Sequence, residues 1–403
     1  MYLCIMKANE ATIQFVKEHR TEDVRVLALQ TRRDGNIDLP WALDQIQGWQ
    51  AARHKLPSWA AIDGIIYPPH LSMEQCSSEA TANYKCSIIE RLPMASHETL
   101  VDLTGGFGVD FAFLAKCCNK AIYVERQENL CDTARHNFEV LGLPHVTVLH
   151  GEAENILKGL ATNPSSTLLY LDPARRDSNS TRTYAITDCT PNVLDLLPDL
   201  FKVANHILIK LSPMLDWHKA VADLGDRVAQ VHIVSVGNEC KELLMLIDAA
   251  HEGEPTVNCV NDDQTVNFKP SQDNANPMIA DDADAAYLYE PNASIMKAGC
   301  FEVLTQRYPV KALAADSHLF VSSKVVEDFP GRRFAITTIT TMNKKGLGLA
   351  IKGITRANVA VRNFPMSAQD LSKRLRLANG GEIYIFGTTA HNAQRLLYIC
   401  RKL

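Results

Sequence analysis

The residues that could do chemistry begin at VDLTGGFGVD, 101–110, where an apolar strand pattern ends in Gly105, Gly106 and Gly108 and a helix pattern follows. Glycines there let the backbone turn tightly and approach a ligand, and the first N–H groups of the following helix point toward it. Four carboxylates are spaced behind successive apolar runs: Asp102 before the glycines, Glu125 after AIYV, Glu152 in HGEAE and Asp172 in LDPAR. In an open α/β sheet, ligands lie at the carboxyl ends of the strands, where all four of these acids fall. An acid at the second strand end can accept both hydroxyls of a ribose, and one after the third can read an adenine amino group.

Two cofactor classes use such a loop, dinucleotides and S-adenosylmethionine. A dinucleotide site wants G-x-G-x-x-G, its third glycine allowing close helix packing. Here Asp110–Phe111 follow the glycines and that third glycine is missing. The acid before the loop, Asp102, is not required by the dinucleotide pattern and could face the positively charged amino end of S-adenosylmethionine.

The elements that must position these residues are legible as apolar runs. TLVDL (99–103), AIYVE (121–125), VTVL (146–149), TLLYLD (167–172), HILIKL (206–211) and VHIVSV (231–236) alternate with helical patterns, the clearest carrying Leu130, Ala134, Phe138 and Leu141 on one face. Strand and helix in regular alternation predict a parallel sheet covered on both faces. Only six residues separate VHIVSV from LLMLID, too few for a helical crossover, so this last pair is expected to be antiparallel. Residues 1–92 read as helical, closing with a helix through SSEATANYKCSIIERL capped by Ser77 or Ser78. Residues 251–284 are polar, a hairpin around Asn261–Gln264 and a linker. From 285 onward the pattern is α+β, starting with a single helical run, ASIMKAGCFEVLTQRY.

Composition bounds the answer. The chain has 403 residues, 46% of them apolar, and a net charge of −5. That excludes a disordered chain or a disulfide scaffold. The charge is unevenly spread: residues 286–403 hold 17 Lys+Arg against 7 Asp+Glu, and the rest of the chain is strongly acidic. Such asymmetry points to a nucleic-acid or membrane contact. The eleven cysteines include no C-x-x-C pair, which fits reduced thiols in the cytoplasm. No structural zinc, membrane span or signal peptide is expected.

These residues resemble the class I S-adenosylmethionine-dependent methyltransferases. DLTGGFG is similar to that family's first motif, Glu125 to its second, GEA to its third and DPAR to its fourth. The resemblance is closer to a bacterial group with a ferredoxin-like piece and a C-terminal THUMP-like domain, through LSMEQCSSEATANYK (71–85), EPNASIMKAGCF (290–301), and FPGRRF, ANVAVRNFP and GGEIYIFGTT (329–388). It implies an α/β, Rossmann-like methyltransferase domain, mostly parallel with an antiparallel last strand, preceded by helices and followed by an α+β unit. The expected divisions are 1–92, 93–250 (methyltransferase), 251–284, 285–324 (ferredoxin-like) and 325–403 (THUMP-like).

The resemblance also implies roles. Asp102, Thr104, Gly105, Gly106 and Gly108 would hold the methionine portion of S-adenosylmethionine. Glu125, with Arg126, would bind the ribose, and Glu152 and Ala153 would line the adenine. Asp172 would sit by the transferred methyl group, with Pro173 and Arg175 beside it as catalytic candidates. Enzymes acting on exocyclic amines usually read Asp/Asn-Pro-Pro-Tyr/Phe, whose ring stacks on the base. Here the tetrad is DPAR, so Tyr184 or an arginine plane is the candidate to stack. DPAR is also similar to the Asp-Pro-Pro-Arg of uridine C5 methyltransferases, which use a cysteine, and Cys189 is the nearest candidate.

Further substrate candidates are Glu79, Lys85, Arg176, Lys210, Arg332, Arg333 and Arg362. The alternatives are plain helix-surface charges for Glu79 and Lys85, pairing with acids such as Asp177 for Arg176, a strand cap at the surface for Lys210, and a solvated basic surface for the three C-terminal arginines. In the basic end, Phe329, Phe334, Phe364, Tyr384 and Phe386 interleave with the charges, and aromatics of that kind either stack on unpaired bases or fill a strand core. The expected function is methylation of a base in tRNA or rRNA, with the basic end binding RNA. A non-catalytic RNA-binding protein with a vestigial pocket, a nicotinamide-dependent oxidoreductase, and methylation of a protein or small molecule are the alternatives.

Overall fold

The computed structural model describes residues 8–30, 35–175, 185–273, 276–280 and 285–403, which fall into two compact units. The first holds everything up to Gln230 together with Lys241–Gly253. It opens with α1 (Glu10–His19), α2 (Val24–Gln30), α3 (Leu39–Lys55), α4 (Pro57–Ala60), α5 (His70–Gln75) and α6 (Glu79–Ile89). Ser78 caps α6 by accepting the Thr81 amide. Two buried amides lock the segment after α4 in place. The Gln45 side chain makes a reciprocal pair with the Tyr67 backbone, and Asn137 makes the same pair with Ile66.

The sheet follows in strict alternation: β1 (Thr99–Asp102), α7 (Val109–Ala115), β2 (Lys120–Glu125), α8 (Glu128–Val140), β3 (Val146–His150), α9 (Ala153–Gly159) and β4 (Thr167–Leu171). After the short pair β5 (Ala174–Arg175) and β6 (Cys189–Thr190) come α10 (Val193–Val203), β7 (His206–Leu211) and α11 (Trp217–Leu224). β8 (Val228–Val236) and β9 (Glu239–Asp248) form a hairpin turned at Gly237–Asn238, both at positive φ, and its tip, Val231–Cys240, belongs to the second unit. Within the first unit the strand order is β3-β2-β1-β4-β7-β9. All pairs are parallel except β7 with β9. The central strands are apolar on both faces because helices cover both: Leu168 to Leu171 and Ile207 to Ile209 are all buried.

The second unit starts with the hairpin β10 (Thr256–Asn261) and β11 (Gln264–Phe268). β12 (Tyr287–Pro291), α12 (Ala293–Ala298), α13 (Phe301–Arg307), β13 (Lys311–Ala312) and β14 (Phe320–Ser322) follow. The run expected as one helix from Ala293 is broken into α12 and α13, because Gly299 at φ +77° caps α12 in the left-handed conformation. The chain ends with β15 (Gly331–Thr341), α14 (Lys344–Ala350), β16 (Arg356–Arg362), α15 (Ala368–Leu375), β17 (Ala378–Thr389) and β18 (Arg395–Lys402).

These strands make a seven-stranded sheet in the order β13-β14-β12-β15-β18-β17-β16, of which β16 with β17 is a parallel pair. In a flat sheet β12 and β16 would lie roughly 19 Å apart, four spacings of about 4.8 Å. Yet Arg362 on β16 reaches Glu290 on β12 at 2.7 Å, so the sheet curls around its inner face. Leu288, Phe334, Phe386, Tyr398 and Cys400 fill that face.

Candidate active site

The loop from β1 to α7 is held by its own glycines. Gly106 and Gly108 have φ of +57° and +82°, and a Cβ on Gly105 would lie 2.2 Å from the Tyr123 ring. Glu125, buried at the end of β2, accepts the Gly106 amide at 2.9 Å through one carboxylate oxygen and the Gln127 amide at 2.9 Å through the other. Asp102 is buried at the end of β1 and its Oδ1 accepts the Thr104 amide at 2.8 Å and hydroxyl at 3.2 Å. That hydroxyl in turn accepts the Asp172 amide at 2.6 Å. The acids at the ends of β1 and β4 are thus tied through one threonine. Burial pushes the Asp102 carboxyl up to about 8, against the opposing pull of the two Thr104 hydrogen bonds. A cationic group placed against it would bind with loss of a proton.

Behind Asp172 lies a cluster of charges. Lys210 Nζ is 2.6 Å from Asp172 Oδ2 and 3.5 Å from Asp110 Oδ2, and donates to Ser77 Oγ at 3.0 Å. Asp110, on α7, accepts from the Ser77 hydroxyl and the Tyr170 hydroxyl, each at 2.7 Å, and pairs with Lys85 Nζ at 3.1 Å. Lys85 also pairs with Glu242 of β9 at 2.7 Å. Exposure falls along this line: the Asp172 side chain is 39% exposed, Lys210 13% and Lys85 0%. Burial alone would push the Asp110 carboxyl up, but the two ammoniums and the two hydroxyl donors hold it well below the usual carboxylate range. Burial pushes the Glu242 carboxyl up.

The sequence candidates divide accordingly. Asp102, Thr104, Gly105, Gly106, Gly108, Glu125 and Asp172 share the carboxyl edge of the sheet. Glu152, exposed, stands at the N-terminus of α9 just before the buried Ala153, without a side-chain capping hydrogen bond, and Arg126 is exposed beside Glu125. Pro173 is buried, and the Arg175 backbone pairs with Cys189. Arg176, Tyr184 and the Arg175 side chain lie outside the described residues. Cys189 is 3% exposed, which leaves its thiol poorly placed to attack a base.

Several charges are not what the sequence suggested. Lys85 is no surface charge or substrate contact, since it is wholly buried between two acids. Lys210 is bound to Asp172 and does not simply cap a strand. Glu79 accepts the Ser58 amide. In the second unit, Arg332 and Arg362 both hold the buried Glu290, and Arg333 pairs with Glu327. Phe329, Phe334 and Phe386 are core residues and are not free to stack on bases.

Asp110, Tyr170 and Glu242 were not singled out from the sequence as site residues, and Ser77 was named only as a candidate helix cap. Asp110, where a dinucleotide loop would approach its third glycine, and Glu242, a lone acid opening the apolar run LLMLID, were the available signals.

Comparison with known proteins matches residues 287–330 to a ferredoxin-like domain and 331–402 to a THUMP domain-like family. A protein of Porphyromonas gingivalis W83, provisionally assigned as a methyltransferase, is 30% identical over 97% of each chain, with a TM-score of 0.85. The chain belongs to that family. Its members join a class I methyltransferase fold to a ferredoxin-like piece and a C-terminal THUMP-like domain. Less similar are an rRNA methylase, also provisionally assigned, from Clostridium thermocellum (16% identity, 43% of this chain and 99% of that one, TM-score 0.32) and a Streptococcus mutans protein in complex with SAH (15%, 41% and 96%, TM-score 0.32). No protein with a curated description matches. In the family fold the carboxyl edge described above is the ligand side of the sheet. Among the described residues no cluster could hold a metal, and no helix is long and apolar enough to cross a membrane.

Proposed function

We propose that the protein transfers a methyl group from S-adenosylmethionine to a base of RNA, tRNA or rRNA. The observation that carries this reading is the hydrogen-bonded line Asp102–Thr104–Asp172 beside the glycine loop. It couples a buried acid suited to a cation with a half-exposed acid suited to an acceptor.

The donor set fits the cofactor. Asp102 would take the ammonium, Gly105, Gly106 and Gly108 leave room for the methionine portion, Glu125 and Arg126 would take the ribose, and Glu152 and Ala153 the adenine. When bound, S-adenosylmethionine supplies an electrophilic methyl group on a sulfonium. The chain's own task is to align a nucleophile with it and exclude water. Asp172, with the Pro173 carbonyl, would accept hydrogen bonds from the acceptor nitrogen and take its proton. The base would have to be unpaired or flipped to arrive there.

The basic charge of residues 286–403 and the THUMP-like match support RNA as the partner. The eleven cysteines, with no C-x-x-C pair among them, support a reducing, cytoplasmic setting. Mass spectrometry of nucleosides from total RNA with and without the gene tests the reading: one methylated nucleoside should disappear, and an unchanged profile would overturn it. Asp172→Ala should lower transfer on the order of 100-fold or more while binding cofactor nearly as well as the parent.

A further inference from the structure

Among the described residues, Lys210 is the cation that touches both the buried acid Asp110 and the half-exposed acid Asp172. Its ammonium is held from behind by Ser77 Oγ, which also donates to Asp110. Among the described residues, the charged or titratable groups around it are Asp110 from α7, Lys85 from α6, Cys76 at the end of α5, Tyr170 and Asp172 from β4 and its end, and Glu242 from β9. Two lysines thus meet three carboxylates, and Asp172 is the carboxylate at the solvent end. Burial works against the Lys210 charge, but Asp172, Asp110 and Glu242 outweigh it and hold the ammonium protonated. A lysine that stays charged cannot take the acceptor's proton.

We infer that Lys210 is a positioning residue for methyl transfer: it holds the Asp172 carboxylate in one orientation, so that the site selects a nucleophile arriving as an N–H donor. This rests on the reading of Asp172 as the group facing the acceptor. As the N–CH3 bond forms and the sulfonium C–S bond breaks, the acceptor N–H proton passes to the Asp172 carboxylate, and Lys210 keeps all of its own. Without Lys210, Asp172 would face Asp110 with no cation between them and would turn outward.

The test compares Lys210→Met, which keeps the apolar stem, with Lys210→Arg and Ser77→Ala. The first readout needs no acceptor: in the crystal structure of Lys210→Met the Asp172 side chain should leave the place it now holds 2.6 Å from Lys210, and in that of Lys210→Arg it should stay. The second is transfer from S-adenosylmethionine to RNA of a strain lacking the gene. There kcat should fall by about tenfold or more with KM for the cofactor nearly constant, and Lys210→Arg should restore part of the rate. An Asp172 side chain unmoved in Lys210→Met, or wild-type transfer by that variant, would overturn the inference. If Lys210→Met does not fold, Ser77→Ala, which keeps every charge, carries both readouts with a smaller expected change. If the wild type transfers nothing to RNA, the proposed function fails, and the variant structures alone then decide the role of Lys210.

Discussion

Asp102 and Asp110 lie eight positions apart and burial pushes both carboxyls up, yet their partners leave them shifted in opposite directions. Asp110 has two ammoniums and two hydroxyl donors, and stays ionised. Asp102 has only the two Thr104 donors, and rises to about 8. The raised group binds a proton in the folded chain that the unfolded chain has already released above about pH 4. Its stabilising contribution is therefore complete below that pH and is lost as the pH rises through about 8. Binding of a cationic cofactor should run the other way, tightening with pH up to about 8 by as much as tenfold per unit. Calorimetry at pH 7 in two buffers of different ionisation enthalpy should show about one proton released per S-adenosylmethionine bound. No release, or uptake, would mean that the ammonium does not meet Asp102.

At the scale of elements, the β1–α7 loop and α6 do the positioning. Gly105 lies against the Tyr123 ring so closely that a methyl group cannot fit without moving the loop or β2. Gly105→Ala should cost about 1–3 kcal/mol of stability, read by urea unfolding, and should lower cofactor affinity more than it lowers stability. The seat of α6 is ionic. Lys85→Met leaves Asp110 and Glu242 close together in a dry site and should destabilise the first unit by about 3–5 kcal/mol. Thermal melting at neutral pH would check it, and a melting temperature like that of the parent would remove the cluster from any structural role.

The strands and helices of this unit were legible because their apolar runs have the lengths and spacing of a covered parallel sheet. The ion cluster was not. Ser77 and Asp110 are 33 residues apart and Lys85 and Glu242 are 157 apart, separations at which no local pattern marks a contact. Likewise α12 and α13 read as one helix because an isolated glycine inside a helical pattern can be tolerated as well as end the helix.

At the scale of the whole molecule, the charge split survives in its sign and changes in its detail. Arg332, Arg333 and Arg362, the substrate candidates of the basic end, are engaged with Glu290 and Glu327. Under the proposed function, the attraction for RNA would then fall to charges such as Lys344 and Lys345 on α14, an element with no buried residue. Replacing both with alanine should lower the slope of log binding constant against log salt by about one to two, measured by fluorescence anisotropy with a labelled single strand. An unchanged slope would take α14 out of the interface.

By itself the sequence determined the order of elements, the glycine loop, the acids at the strand ends and the acid-to-base division of charge, because each is written in neighbouring residues or in a count. Only the tertiary structure decided which charges are spent inside. Folding brought Lys85 and Lys210 against acids from distant segments, drew Phe334 and Phe386 into a core, and curled a sheet until Arg362 met Glu290. A charge or a ring keeps no sign of its partner in its own sequence position, and its burial is settled only when the chain closes around it.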